Sequence, residues 1–358
     1  MQKTIPIVLS DVPNRHILIW GKSGFGKSYF GIRKIEEDYA LKRKIVVIDY
    51  SSSYTESELI KANFKHMDSV LMLNPSLNPI YWECNSKNIN YFLHESKDIL
   101  VNAMNINSYN QSTLIFQALI YLQKNNESPC FSWSIPELIG ALTDLKKFLV
   151  PDKDNPDMSQ NIERLLTRLV KYESIRNFHV VFKPLNYKQR RNIVTIFQLS
   201  DLPDEQRRFL TAIISELLWL ETKRGKSSLN YYDTIIFDEF QFLPINCGSA
   251  LSCFLREGRK FGVGVVLATQ FVSKKNADEM HTLLQSANLL IFHPDEHDVT
   301  FTAKVIDSVN FRLWIPLLKS LEIGQAILMG NYLINNNTLL LHAPIVCNIT
   351  TNGGNINV

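Results

Sequence analysis

The amino-acid sequence predicts an α/β fold, a mostly parallel central sheet flanked by helices and broken by a helical insertion. Three observations carry this expectation. Residues 16–20 form a short apolar run ending in a glycine-rich turn, and residues 29–42 follow with the one-sided charge pattern of a helix. Residues 45–48 are a second β-branched run, so the chain opens with a βαβ unit of the kind that builds parallel sheets. Short apolar runs alternating with helical periods then return in the second half of the chain.

From about residue 74 the texture changes to Asn-Pro punctuation and then to apolar residues recurring at three and four. Residues 114–122, 135–149 and 162–172 read as helices of an insertion. Strand-like runs come back at 179–182 and 192–198, followed by a helix across 205–224. Residues 231–237 are aromatic and β-branched, 248–260 reads as a helix, and 263–269 has a buried-strand pattern. Residues 289–292 and 326–329 supply two more short strands. The expected division is 1–73 for the first part of the core, 74–178 for a mostly helical insertion and 179–349 for the second part of the core. The Asn- and Gly-rich residues 350–358 are expected to be a flexible tail.

A chain of 358 residues exceeds the size at which one hydrophobic core usually stops growing, which suits a large domain with an insertion. With 45% hydrophobic and 20% charged residues it has the composition of a globular protein, and disorder is excluded as the default. The net charge of +3 is too small to announce a nucleic-acid binder by bulk charge. Cys84, Cys130, Cys247, Cys253 and Cys347 are odd in number and lack C-x-x-C spacing, so reduced thiols in a cytoplasmic protein are expected. Residues 1–13 hold no sustained apolar run, and no stretch reaches the roughly 18 apolar residues of a membrane span. A soluble protein without membrane insertion is expected.

Gly21, Lys22, Ser23, Gly24, Phe25, Gly26, Lys27 and Ser28 match G-x-x-x-x-G-K-[ST] in full, between an apolar strand and a helix that opens with Tyr29. Glycines let such a backbone curl so that its N–H groups and the helix N-terminus face phosphates. Lys27 is positioned by the motif to neutralise the β and γ phosphates of ATP, and the Ser28 hydroxyl to ligate Mg²⁺. Residues 21–29 are the expected nucleotide-binding set. Asp238 and Glu239 end the apolar run 234–237, as in a Walker B strand; Asp238 is the expected Mg²⁺ partner and Glu239 the general base. Gln270 ends the strand-like run 265–269, where an amide either caps and packs or contacts both the γ-phosphate and the attacking water. Arg256, Arg259 and Lys260 cluster on the preceding helix, by themselves a solvated basic face. Lys274 and Lys275 in the loop after Gln270 read as a solvated pair or as a pore contact.

The stretch 255–270, LREGRKFGVGVVLATQ, resembles the helix-to-strand segment of the HerA/FtsK superfamily of hexameric DNA-pumping ATPases, HerA-type above all. Asn14-Arg15-His16 leading into the first strand, residues 45–50, and residues 192–201 before a long helix are similar to HerA and to type IV secretion ATPases. The resemblance spans most of residues 12–348 and implies a RecA-like core. It implies that Arg259 is an arginine finger reaching a neighbouring subunit's nucleotide, and that Arg15 lies near nucleotide. The resemblance further implies a homo-oligomer, a hexameric ring, that acts on DNA as a translocase or helicase. In the family a β-barrel precedes the P-loop and a long extension follows the core, so a near-minimal motor core is expected here. The resemblance also allows a second reading, an ATP-dependent scaffold that licenses a partner nuclease or other effector, as in antiviral defence systems. A secretion or conjugation ATPase is a third.

Overall fold

The structure, a computed structural model, describes residues 4–8, 14–126, 131–148, 156–183, 193–226, 228, 230–245, 248–272, 276–286, 288–334, 337–349 and 355–357. In chain order the strands are β1 (Thr4–Val8), β2 (Ile17–Trp20), β3 (Ile45–Asp49), β4 (Val70–Leu73), β5 (Ile80–Asn85), β6 (Ser132–Trp133) and β7 (Phe178–Lys183). They continue as β8 (Val194–Gln198), β9 (Thr234–Phe237), β10 (Gly264–Thr269), β11 (Asn288–Ile291), β12 (Gln325–Ile334), β13 (Asn337–Asn348) and β14 (Asn355–Asn357). The helices are α1 (Lys27–Ala40), α2 (Glu56–Lys61), α3 (Ile89–Ala103), α4 (Tyr109–Lys124), α5 (Ile135–Phe148) and α6 (Pro156–Val170). After them come α7 (Asp204–Arg224), α8 (Ala250–Glu257), α9 (Ala277–Leu283), α10 (Val299–Ile306) and α11 (Phe311–Ser320), with a 3₁₀ turn over Gly258–Phe261.

These elements fall into two compact units, residues 1–72, 192–198 and 232–358 in one, 73–191 and 199–231 in the other. The first unit is built on a sheet in the order β1-β14-β13-β12-β11-β2-β10-β9-β3-β8-β4. From β11 to β8 the neighbours run parallel, and β12 adds antiparallel to β11. Every residue of β2, β3, β9 and β10 is buried. Parallel strands covered on both faces read as unbroken apolar runs rather than alternating ones, which is why the sequence shows them. Each large side chain so buried contributes about 1.5–3 kcal/mol relative to exposure.

Helix α1 packs its buried face, including Ile32 and Ile35, into the same core as Ile17, Val47 and Ile236. Its close fit is set by Gly31, where an added Cβ would lie 2.1 Å from the Tyr54 hydroxyl and 2.9 Å from Cζ. Gly31→Ala is expected to lower unfolding free energy by about 1–3 kcal/mol through overpacking. Denaturant melts check this, and an unchanged midpoint would show that the Tyr54 ring can move aside.

The second unit holds α3 to α7 and a small sheet in the order β5-β7-β6, parallel between β5 and β7 and antiparallel between β6 and β7. Two stretches that the sequence groups with the returning core lie here instead. Strand β7 pairs with β5 and β6, and α7 is tied to α3 and to the turn after α6: Asn102 Nδ2 donates to Glu216 Oε2 at 3.1 Å, and Tyr172 stacks on Phe209 with centroids 3.9 Å apart. A short strand's own residues do not encode its partner, so periodicity alone could not separate β7 from the main sheet. Within the tail, Asn355–Asn357 form β14, antiparallel to β1 with Ile5 opposite Ile356. The expectation of a flexible tail rested on side-chain composition, whereas edge pairing needs only backbone groups. Lys274 and Lys275 lie outside the described residues.

Candidate active site

Because β11, β2, β10, β9 and β3 are parallel, their C-terminal ends share one edge of the sheet, where open α/β sheets bind ligands. That edge brings together Gly21 after β2, Asp49 at the end of β3, Asp238 after β9, Gln270 after β10 and His293 after β11. Strand β10 lies between β2 and β9, so with neighbours about 4.8 Å apart the β9 tip stands roughly 10 Å from the P-loop strand, with Gln270 between them.

Gly21, Gly24 and Gly26 have φ of 149°, 84° and 110°, which side chains other than glycine's rarely adopt. At Gly21 an added Cβ would also come within 2.6 Å of Phe292 Cβ. The loop is tied to both neighbouring strands: Gly21 N donates to Thr269 O at 3.3 Å and Lys22 N to His293 O at 2.7 Å. The Phe25 ring stacks on His293 with centroids 4.7 Å apart, and Phe25 O accepts from Gly324 N at 3.1 Å. No side chain caps the start of α1 at Gly26, the arrangement in which a helix N-terminus can receive an anion. Lys22, Ser23 and Gly24 are exposed, and Ser28 and Tyr29 are half-buried. Burial raises the Tyr29 pKa.

Lys27 is buried and its Nζ donates to Gly21 O at 2.7 Å and Lys22 O at 3.1 Å. These loop carbonyls occupy the donors that phosphate oxygens would take. Burial lowers its pKa, and the charges of Glu239 and Asp238 oppose that effect.

Asp238 is 5% exposed and its carboxyl is pushed up to about 7, chiefly by burial. Ser51 Oγ donates to its Oδ2 at 2.5 Å and partly offsets the rise. Asp49, also buried and raised by burial, accepts Ser53 N at 2.9 Å and Tyr54 N at 3.0 Å, which shapes the loop carrying Ser51. Glu239 adopts a left-handed conformation, φ 52° and ψ 49°, uncommon outside glycine. Its Oε1 accepts from Gln270 Nε2 at 2.5 Å and its Oε2 from Gln241 Nε2 at 2.8 Å. Thr269 Oγ1 in turn donates to Gln241 Oε1 at 2.5 Å. Sequence reading missed Asp49, Ser51, Gln241 and Thr269 as parts of this site; the acid at the end of an apolar strand was the available signal for Asp49.

Arg15, His16 and Arg259 lie elsewhere. They precede β2 and β10, whose other ends carry the P-loop and Gln270, so they occupy the opposite edge of the sheet. Six residues of β10 separate the two edges by about 20 Å. The expectation that Arg15 lies near nucleotide is corrected for its own chain: its guanidinium donates to the carbonyls of Gly262 and Asp233. Its place in the basic pair before the first strand misled because that strand is extended and carries the P-loop at its other end. Arg259 sits in the 3₁₀ turn, exposed, and its guanidinium makes no hydrogen bond or ion pair among the described residues.

His16 is fully buried, and its Nδ1 accepts from Val265 N at 3.1 Å. Burial, with Arg15 and Arg259 adding like charge, lowers its pKa from 6.5 to about 4. Between those values the unfolded chain holds the proton and the folded one does not. Stability therefore falls as pH drops through that window, by roughly 3 kcal/mol at most. The advantage of the wild type over His16→Gln is expected to shrink by that amount between pH 7 and pH 4 in denaturant melts. A difference independent of pH would count against a neutral buried His16.

A glycine-rich strand-to-helix loop, a buried lysine, and two carboxylates on the next strand but one define a RecA-like P-loop NTPase. The chain belongs to the HerA family: residues 2–218 match the helicase HerA central domain. Over 335 residues it is 24% identical to a probable helicase of Methanocaldococcus jannaschii, covering 88% of this chain and 60% of that protein. Over 335 residues it is 23% identical to the DNA double-strand break repair helicase HerA of Sulfolobus acidocaldarius, covering 89% of this chain and 63% of that one. The chain thus spans less than two thirds of the length of these relatives. The bacterial conjugative coupling protein TrwB shares the fold, with a TM-score of 0.64 and 16% identity over 96% of this chain and 87% of that one. Among the described residues no helix is long and apolar enough to cross a membrane.

Proposed function

We propose that this chain is the ATP-hydrolysing subunit of a homo-oligomeric ring, a hexamer, that translocates DNA as a helicase or pump. It acts in DNA processing or antiviral defence together with a partner nuclease or other effector. The observation that carries the ring is the position of Arg259, an exposed guanidinium on the sheet edge opposite its own P-loop. A cation there lies about 20 Å from its own P-loop edge, and in a ring it would meet a neighbour's nucleotide.

Within one subunit, residues 21–29 cradle the phosphates and Lys27 offsets their β and γ charge. Glu239 takes the proton of the attacking water, and Gln270 contacts that water and the γ-phosphate. The residues fit a magnesium ion: Asp238 is a buried carboxylate raised to about 7, chiefly by burial, which a cation beside it would offset, and Ser28 lies in the first turn of α1 beside the loop. Mg²⁺ typically takes one or two protein oxygens and completes its shell with phosphate and water. Asp238 and Ser28 would hold it, and it would neutralise charge between the β and γ phosphates.

The test is ATP turnover and solution mass measured with and without duplex and single-stranded DNA. Turnover by a ring-sized species, stimulated by DNA, is expected. Full activity in a monomer would overturn the ring, and activation by a co-purifying protein with no response to DNA would replace the motor with a licensing scaffold.

A further inference from the structure

Glu239 is held from both sides, and its two holders are anchored in the same place. Gln270 Nε2 donates to one carboxylate oxygen at 2.5 Å and Gln241 Nε2 to the other at 2.8 Å. Gln270 is joined through the backbone to Thr269, and Thr269 Oγ1 donates to Gln241 Oε1 at 2.5 Å. The result is a closed circuit, Thr269 to Gln241 to Glu239 to Gln270 and back to Thr269. It is tied to the P-loop because Thr269 O accepts from Gly21 N. Glu239 itself sits in a left-handed conformation that its own backbone does not favour, so its aim depends on what grips the carboxylate.

We propose that Gln241 is a positioning residue for hydrolysis: anchored by Thr269, it aims the Glu239 carboxylate. The two arms are not equivalent. Gln270 has two N–H donors and one carbonyl to share among Glu239, γ-phosphate and water, so engagement of nucleotide competes with its hold on one oxygen. Gln241 remains on the other, because its anchor lies within β10 and not on the ligand. A charge-assisted hydrogen bond of this kind fixes direction at little entropic cost, since the Gln241 amide oxygen is already held by Thr269. The carboxylate is thereby left with one free oxygen for the water and one that is held.

The inference rests on Glu239 acting as the base. Gln241→Glu keeps the shape of the side chain but offers no N–H donor, and Gln241→Ala removes the arm. Both are expected to lower kcat by about 10- to 100-fold, the range for losing a hydrogen bond to a charged group. KM for ATP and the affinity for a non-hydrolysable ATP analogue should change by less than about threefold. Thr269→Val should reproduce part of the loss and Thr269→Ser should restore it. The Gln241→Ala, Thr269→Val double variant should lose no more than Gln241→Ala alone, as members of one linked arm do. A kcat within about twofold of wild type for both Gln241 variants, a defect confined to KM, or losses that multiply in the double variant would each overturn the proposal. Measuring Glu239→Gln in parallel separates the levels: if it hydrolyses ATP normally the underlying assignment of the base fails, whereas if it is inactive while the Gln241 variants are normal only the positioning role fails.

Discussion

Arg259→Ala should fold, bind ATP and assemble, and yet hydrolyse roughly 10³- to 10⁵-fold more slowly, the range seen for arginine fingers in phosphoryl-transfer enzymes. In the proposed mechanism Lys27 offsets the charge of bound nucleotide within one subunit, and Arg259 supplies the further cation for the extra charge of the transferring phosphoryl group. On the opposite edge Arg15 is folded onto the carbonyls of Gly262 and Asp233, whereas Arg259, like Lys260 beside it, is exposed; of these two, Arg259 carries the planar guanidinium suited to bridging phosphoryl oxygens. Removing an exposed side chain without partners leaves the fold intact. The decisive experiment mixes Arg259→Ala subunits with Glu239→Gln subunits. An interface pairing the intact Arg259 of one with the intact Glu239 of the other is complete, so recovered turnover places the arginine in trans. An Arg259→Ala variant with unchanged turnover would remove the finger.

Lys27→Ala should abolish productive ATP binding, lowering turnover by about 10²- to 10³-fold or more. The backbone cradle alone leaves the β and γ phosphate charge poorly compensated. The variant should nonetheless fold as well as the wild type without nucleotide. In that state Lys27 is a buried cation whose pKa burial has lowered, and its partners are loop carbonyls that water can satisfy. Thermal melts then distinguish function from folding: equal melting temperatures without ATP, and an upward shift on adding Mg-ATP only in the wild type. Wild-type turnover in Lys27→Ala would withdraw the P-loop assignment.

The parts of the site legible in the sequence are those whose physics is local. The P-loop shows itself because three left-handed backbone positions and a close approach to Phe292 demand glycine at Gly21, Gly24 and Gly26. The core strands show themselves because burial on both faces leaves no polar alternation. The grip on Glu239 was not legible, since Gln241, Gln270 and Thr269 meet across 28 and 31 residues of intervening chain. Nor was the Ser51 contact with Asp238, which spans 187 residues.

By itself, then, the sequence determined a P-loop α/β core, a Walker B pair on a buried strand, and the HerA-type segment ending at Gln270. Only the tertiary structure decided that β10 lies between the P-loop and Walker B strands, that β7 and α7 belong to the second unit, and that Arg15 and Arg259 stand on the far edge of the sheet. The reason is physical: dihedral demands and burial are written in each residue's own chemistry. Strand order and strand direction depend on which distant segments pair, and it is strand direction that carries Arg259 about 20 Å from the P-loop edge of its own chain.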